Sequence, residues 1–312
     1  MLRFSASSAG RLMACPGAAN LEAAIPGWTP PVEDPAKFKA KPLGTRVHEI
    51  LVPFAQMTPA FLYWFYETVT EFSKLHHTKR TLITGDISEL GNYLGLRFPA
   101  GLPKGGNAQI LEWFQSLHGL APKMLRFIAD VALWHYDTTT KYSYQENVKR
   151  WAELDMETTW LSKPGKTQAD FVLYDRGSET LEIVDYKTGS IPVSAIDNDQ
   201  LKFYAWSVIE HLNPSSIAAS CPVENIIMTI LQPGGDPDNS EKSTIDELEA
   251  WSKRALAAES DILNGVLTLR PGDHCTFCPA NPFARGEKEY PLCPAQRELL
   301  FPSTVDLDEI LA

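Results

Sequence analysis

Long apolar runs are missing from this sequence, since even its most apolar stretch, residues 51–66, is interrupted by two prolines and by polar side chains. A membrane-spanning helix needs about 20 predominantly apolar residues. The first residues also lack the apolar segment of a secretory signal. We therefore expect a cytoplasmic protein without a membrane partner. An excess of basic charge is missing as well, because the net charge is −11. Such a charge argues against a non-specific coat for nucleic acid, although a local basic groove remains compatible with it.

Cysteine is scarce, and its five residues cannot all be paired in disulfides within one chain. A reducing compartment disfavours disulfides in any case. Internal repeats and low-complexity tracts are absent too. The 312 residues, 44% of them hydrophobic, are sufficient for a full core, as one large domain or one domain with an insertion.

The periodicity of apolar residues divides the chain into four segments. The first helix is predicted after Thr45, which is a possible N-cap. The segments are 1–56 (N-terminal segment and first core helix), 57–140 (helical insertion or subdomain), 141–265 (core) and 266–312 (cysteine-rich segment and acidic tail).

Within the core segment, the period changes to the alternation that is typical of strands. Helical periods follow at 197–212 and 243–263, on either side of a β-branched run at 223–231. The predicted strands before them are residues 142–151, 156–161, 168–175 and 181–187.

The last two of these strands are joined by a polar turn that contains Gly177, which predicts an antiparallel hairpin. A register that pairs Tyr174 with Leu181 places Asp170 directly opposite Asp185. Carboxylates that face each other across two strands repel, so a cation between them is the simplest explanation of the pattern.

Hard oxygen ligands such as Asp170 and Asp185 suit Mg²⁺ or Mn²⁺. Lys187 lies on the same face of its strand as Asp185. A bound metal can activate water, and the lysine can orient that water or stabilise developing negative charge. The three residues therefore predict phosphodiester hydrolysis.

Further polar residues fall where they can reach the same site. Gln200 and Tyr204 are four residues apart in a predicted helix and so share one of its faces. His48, with Glu49 beside it, offers a nitrogen ligand from the first helix, and Glu146 could serve as an accessory acid. Each pattern alone also occurs on ordinary protein surfaces, so the interpretation depends on their combination.

The order of these motifs resembles the RecB-like branch of the PD-(D/E)xK nuclease superfamily, in particular phage exonucleases and CRISPR-associated members with a cysteine cluster. The resemblance implies an α/β fold with a restriction-endonuclease-like core in residues 141–265, in which a small mixed sheet is flanked by helices. The stretches that carry it are GTRVHE, ADFVLYD, IVDYKTG and QLKFY.

The resemblance also implies roles for individual residues. The substrate would be DNA, single-stranded or with free ends, and the activity that of an exonuclease in phage-type recombination or repair, with a recombination protein as a further partner. A non-hydrolytic DNA-binding or complex-forming factor and a phosphoesterase for small substrates stay open as alternatives. The implied roles are metal ligation by His48, Asp170, Asp185 and the backbone carbonyl of Tyr186, catalysis by Lys187, and positioning by Gln200 and Tyr204.

The C-terminal cysteines have the spacing of a metal site. Cys275 and Cys278 form a C-x-x-C motif, and Cys293 follows after fourteen further residues. Such a motif presents two thiolates to one metal, and a third thiolate nearby strengthens the signal. Cys221 lies outside the pattern and is expected to be a free cysteine.

A fourth ligand is missing from this local group. The RecB-like resemblance pairs one N-terminal cysteine with three C-terminal ones around a [4Fe-4S] cluster, which makes Cys15 the expected fourth ligand. The spacing alone fits a structural Zn²⁺ equally well, with His274 or Cys15 as its fourth ligand.

Overall fold

The computed structural model describes residues 4–24, 43–74, 116–117, 120–142, 148–212, 223–236, 238–278, 280–281 and 293–300. Glu146, Cys221 and the acidic tail lie outside these residues. The described part is a mixed α/β fold with eight α-helices and a five-stranded sheet. None of its helices combines the length and the apolar character needed to cross a membrane.

The strands and helices are numbered in chain order. The strands are β1 (Val148–Glu157), β2 (Lys166–Asp175), β3 (Thr180–Tyr186), β4 (Asn225–Leu231) and β5 (Ser240–Ser243). The helices are α1 (Ala6–Ala14), α2 (Gly17–Ala24), α3 (Leu43–Leu51), α4 (Pro59–Lys74), α5 (Pro122–Lys141), α6 (Asp199–Leu212), α7 (Ile245–Leu263) and α8 (Pro294–Leu300).

The sheet has the strand order β1-β2-β3-β4-β5. Only β3 and β4 are parallel, and the connection between them contains α6, as a parallel crossover requires. The predicted hairpin register is confirmed, because Tyr174 lies opposite Leu181. Pairing of β2 with β3 ends at Phe171 and Val184, so that Asp170 is the next residue along β2.

The prediction of two separate strands at 142–151 and 156–161 is wrong, because β1 is one strand that runs through Glu153. Glu153 has a φ of +50°, which few non-glycine residues adopt. Ala152 pairs with Phe171 and Leu154 pairs with Ala169, so the register continues across Glu153 without an inserted residue. This local departure from extended geometry explains why the alternation in the sequence is interrupted there.

Each face of the sheet is covered by helices, as the alternation of side chains along β2 and β3 requires. On one face, Phe171 and Val184 share a core with residues of α3, α4 and α5. On the other face, Val172 and Ile183 share a core with residues of α1, α6 and α7. The described helices of segment 57–140 thus pack directly on the sheet, while the boundary of that segment stays a prediction.

Within the described residues, the helices predicted at 197–212 and 243–263 are confirmed as α6 and α7, whereas the start of α3 was predicted too late. Helix α3 already begins at Leu43, so Thr45 lies inside its first turn and is not its N-cap. Helix α7 shows a capping box in which Thr244 accepts from the Glu247 backbone N–H and Glu247 accepts from Thr244 N at 2.8 Å. Helices α1 and α2 and the short strand β5 were not predicted.

Candidate functional site

Two buried carboxylates lie where β2 and β3 stop pairing. Asp170 and Asp185 are 9% and 3% exposed. Asp170 Oδ2 accepts a hydrogen bond of 2.7 Å from the backbone N–H of Tyr186, and Asp185 Oδ2 lies 2.7 Å from Nζ of Lys187. The backbone N–H of Lys187 donates to the carbonyl of Leu231 on β4. This hydrogen bond fixes the position of the lysine main chain, from which the side chain extends.

The first core helix contributes His48 to the same place. His48 Nδ1 lies 3.1 Å from Oε1 of Glu153 and 3.6 Å from Oδ1 of Asp170, while Nε2 lies 3.3 Å from the carbonyl oxygen of Tyr186. Ligand atoms of His48, Glu153 and Asp170 all lie within 4.8 Å of one another, which makes them a possible metal-binding group.

Helix α6 adds an amide and a phenol. Lys187 Nζ donates to Oε1 of Gln200 at 2.8 Å. Gln200 Nε2 in turn donates to the hydroxyl of Tyr204 at 2.9 Å and lies 3.5 Å from Oδ1 of Asp185. The seven residues predicted for the active site therefore form one connected group in the structure. Glu49 is exposed on α3.

The electrostatics of the group favour the binding of a cation. Burial, together with the charge of Asp185, raises the pKa of Asp170 to about 7, although His48 opposes this shift. The hydrogen bond to Glu153 raises the pKa of His48, against the opposing effect of burial. Burial and the charge of Asp185 also raise the pKa of Tyr204, which keeps its hydroxyl protonated. A divalent cation would relieve the cost of placing two carboxylates in this buried site.

Three of the four predicted cysteine ligands share one buried cluster. Cys15, Cys278 and Cys293 pack together with Ala18 and Ala280, and Cys275 is partly exposed beside them. Burial raises the pKa of the Cys278 thiol. The cluster joins the N-terminal helices to the C-terminal segment.

Backbone groups surround these sulfur atoms. The N–H of Arg270 points at Sγ of Cys15 and the N–H of Gly272 points at Sγ of Cys275, both at 3.4 Å. His274, the alternative zinc ligand, has a buried Nε2 without a hydrogen-bond partner in the described part of the chain.

The N-terminal helices approach the C-terminal segment closely at Gly17. Its N–H donates to the carbonyl oxygen of Thr268 at 3.1 Å, and a Cβ at this position would lie 2.6 Å from that oxygen. Only glycine therefore permits this contact. Asn20 adds a second contact, in which its side-chain amide donates to the carbonyl oxygen of Val266 at 3.0 Å.

In a comparison with protein families, residues 136–312 match a family described as a protein of unknown function, DUF2800. This range is more than half of the chain. The chain belongs to the DUF2800 family. Among curated proteins, none is significantly similar to it.

The region matched to DUF2800 contains the whole sheet, together with the two aspartates, the lysine and the three C-terminal cysteines. His48 and Cys15 precede it. Both lie in the part of this DUF2800 protein that packs against the matched region. His48 contacts Tyr186 of that region, and Cys15 contacts Thr268.

Glu153, Gln232 and Asn239 lie around the candidate site of this DUF2800 protein and were missed by the reasoning from sequence. Glu153 was placed in a connection between two strands, and the accessory acid was sought at Glu146 instead. Gln232 and Asn239 hold the loop after Lys187. The Gln232 amide donates to the carbonyls of residues 189 and 191, and the Asn239 amide donates to the carbonyl of residue 193. No local spacing signals these contacts.

The raised pKa of Asp170 predicts how the metal-free protein responds to pH. Because the folded-state pKa of about 7 lies above the ordinary 3.8, the folded protein holds this proton more tightly than the unfolded chain does. The resulting stability is present at low pH and is lost as the pH rises toward 7, by at most about 1.4 kcal/mol per pH unit. His48, whose pKa is also raised, acts in the same direction.

The measurement is thermal unfolding in EDTA between pH 5 and 8, for the wild type and Asp170→Asn. We expect the variant to show a weaker pH dependence than the wild type. The same slope in both proteins would contradict the raised pKa of Asp170.

Proposed function

We propose that this chain is a metal-dependent DNA nuclease and that it acts as an exonuclease in phage-type recombination or repair. The observation that carries the proposal is the convergence of two buried carboxylates and one ammonium group, in which Lys187 Nζ lies 2.7 Å from Asp185 Oδ2 and Asp170 follows the last paired residue of β2. The RecB-like resemblance points to the same residues. A mixed sheet with helices on both faces also fits the restriction-endonuclease-like core that this resemblance implies.

The donor set fits Mg²⁺ or Mn²⁺. His48, Asp170 and Asp185 would supply one imidazole and two carboxylates, and the carbonyl of Tyr186 and the carboxylate of Glu153 lie beside them. Carboxylate and carbonyl oxygens are the ligands that these hard ions prefer. When bound, such an ion activates water and neutralises charge on a phosphoryl oxygen.

Lys187 is the residue that we assign to the stabilisation of developing charge. Its ammonium group has three N–H donors, of which Gln200 Oε1 accepts one, and Asp185 Oδ2 forms an ion pair with the same group at 2.7 Å. A donor is therefore left for an attacking water or a phosphoryl oxygen. Because both partners are themselves held in place, Gln200 by Tyr204 and Asp185 by its strand, the lysine needs little reorganisation during the reaction.

For the cysteines we propose a [4Fe-4S] cluster bound by Cys15, Cys275, Cys278 and Cys293. The RecB-like resemblance implies these four ligands for such a cluster, and three of them, Cys15, Cys278 and Cys293, lie in one buried group with Cys275 partly exposed.

The two backbone N–H groups that point at sulfur are typical of the surroundings of such ligands. Structural Zn²⁺ is the alternative that metal analysis would distinguish.

The proposed activity is tested with anaerobically purified protein on single- and double-stranded DNA labelled at either end. We expect shortening of the labelled strands with Mn²⁺ or Mg²⁺ and none in EDTA. Asp185→Asn is the matched control, since it keeps the shape of the side chain but removes its charge, and its rate should fall at least about 100-fold.

Two outcomes would contradict the proposal. If folded, cofactor-loaded protein cuts no DNA but binds it, the chain is a non-hydrolytic DNA-binding factor. If it hydrolyses a small phosphodiester but no DNA, the chain is a phosphoesterase for small substrates.

A further inference from the structure

A buried histidine lies beside the candidate metal centre, on the face of the sheet opposite to Asp170 and Asp185. His135 of α5 is 1% exposed, and its Nε2 lies 2.8 Å from the hydroxyl oxygen of Tyr186. Its ring also packs edge-on against Phe171, with 4.5 Å between ring centroids, and against Phe54 at 5.7 Å. Burial lowers the pKa of His135 to about 3, so the imidazole is neutral at ordinary pH.

Two of the partners of His135 directly follow the two aspartates in the sequence. Tyr186 follows Asp185 on β3, and Phe171 follows Asp170 on β2. Because successive side chains of a strand point to opposite faces, the aspartates reach the metal centre while Tyr186 and Phe171 reach His135. The imidazole therefore contacts side chains of both β2 and β3, on the face of the sheet opposite to the aspartates.

The main chain of Tyr186 connects this contact to the metal centre. Its N–H donates to Oδ2 of Asp170 at 2.7 Å, and its carbonyl oxygen lies 3.3 Å from Nε2 of His48. A rotation of the Tyr186 peptide units would thus change the orientation of two metal-binding side chains together.

We propose that His135 is a positioning residue: by holding the phenol of Tyr186, it fixes the main chain that orients Asp170 and His48. This inference rests on the proposed metal site. It goes beyond that site because His135 is outside the set of ligands, on the face of the sheet opposite to the two aspartates. Groups that orient metal ligands commonly change metal affinity or activity by about 10- to 100-fold when they are removed.

The test is the affinity of the metal-free full-length protein for Mn²⁺, measured by the electron paramagnetic resonance signal of free Mn²⁺. Tyr186→Phe removes only the hydroxyl, and His135→Phe replaces the imidazole with a larger aromatic ring that cannot form the hydrogen bond. We expect each to raise the Mn²⁺ dissociation constant about tenfold. The double variant should lose no more than either single variant, because both remove the same hydrogen bond. His135→Gln, which keeps a hydrogen-bonding group, should restore part of the affinity.

Tyr142→Phe is the matched control. Tyr142 directly follows α5, and its hydroxyl forms a hydrogen bond with Glu182. Glu182 lies on the same face of the sheet as the side chain of Tyr186 but outside the metal centre. The control should leave the Mn²⁺ affinity unchanged. Thermal unfolding shows whether each variant is folded, and Tyr186→Phe decides the result if His135→Phe does not fold.

An unchanged Mn²⁺ affinity in folded Tyr186→Phe would overturn the inference even if the wild type cuts DNA. Conversely, Mn²⁺ binding that weakens in the variants of a protein that cuts no DNA would support the inference while contradicting the proposed nuclease function. A wild type that binds no Mn²⁺ would overturn both.

Discussion

Replacement of Lys187 with alanine is expected to reduce DNA cleavage by at least about 100-fold, the usual effect of removing one donor aimed at developing charge. The affinity for Mn²⁺ should stay the same or increase, because the substitution removes an ammonium group that lies 2.7 Å from a carboxylate oxygen of Asp185. The measurement combines initial rates on end-labelled DNA with calorimetric titration of Mn²⁺. Loss of cleavage with metal binding retained would separate the role of the lysine from that of the ligands.

Lys253→Ala provides the control for this substitution. Lys253 lies on α7 and forms an exposed pair with Glu249, so its loss should change neither rate nor metal affinity. Cleavage by Lys187→Ala within tenfold of the wild-type rate would contradict the assigned role. A rate loss together with a lost affinity for Mn²⁺ would instead indicate that Lys187 supports the metal centre structurally.

Replacement of Cys278 with serine is expected to remove the bound cofactor and to lower the unfolding midpoint by roughly 10 °C or more. Metal binding by dispersed ligands contributes directly to folding, and one kcal/mol corresponds to about 2–4 °C in a domain of moderate size. Cys278 lies in the cluster that joins Cys15 to Cys293. The measurements are iron and zinc content, absorption near ~400 nm, which an iron–sulfur cluster has and Zn²⁺ lacks, and thermal unfolding.

Cys221→Ser is the matched control, since Cys221 lies outside the C-x-x-C pattern and outside the described residues. It should keep both the cofactor and the unfolding midpoint. Full cofactor content in Cys278→Ser would exclude this thiol as a ligand. Zinc without iron in the wild type would favour the structural zinc alternative.

The hairpin and its two carboxylates were predictable because they depend on local rules. Alternation identifies the buried face of each strand, the polar turn fixes the register, and the register places Asp170 opposite Asp185. Gln200 and Tyr204 were accessible for the same reason, since a spacing of four residues brings them onto one helix face. Each of these inferences needs only residues that are close in the sequence.

The residues that were missed depend on contacts between distant parts of the chain. His135 sits among aromatic residues of a long helix, and its role follows only from its contact with Tyr186 on the sheet. Glu153 is brought to His48 by its positive φ, and the pattern of apolar and polar residues in the sequence does not indicate such a backbone conformation. Strand β5, with the sequence SEKS, has no apolar alternation, and it forms because β4 offers a free edge.

The docking of the two chain ends also has a consequence for biosynthesis. Strands β1 to β3 pair with neighbours in the sequence, so they can assemble while the rest of the chain is still being translated. The cysteine cluster cannot, because Cys15 must wait for Cys278 and Cys293 to leave the ribosome. A chain that terminates before residue 293 lacks one thiol of the cluster. Insertion of the proposed cofactor would therefore follow the synthesis of residue 293.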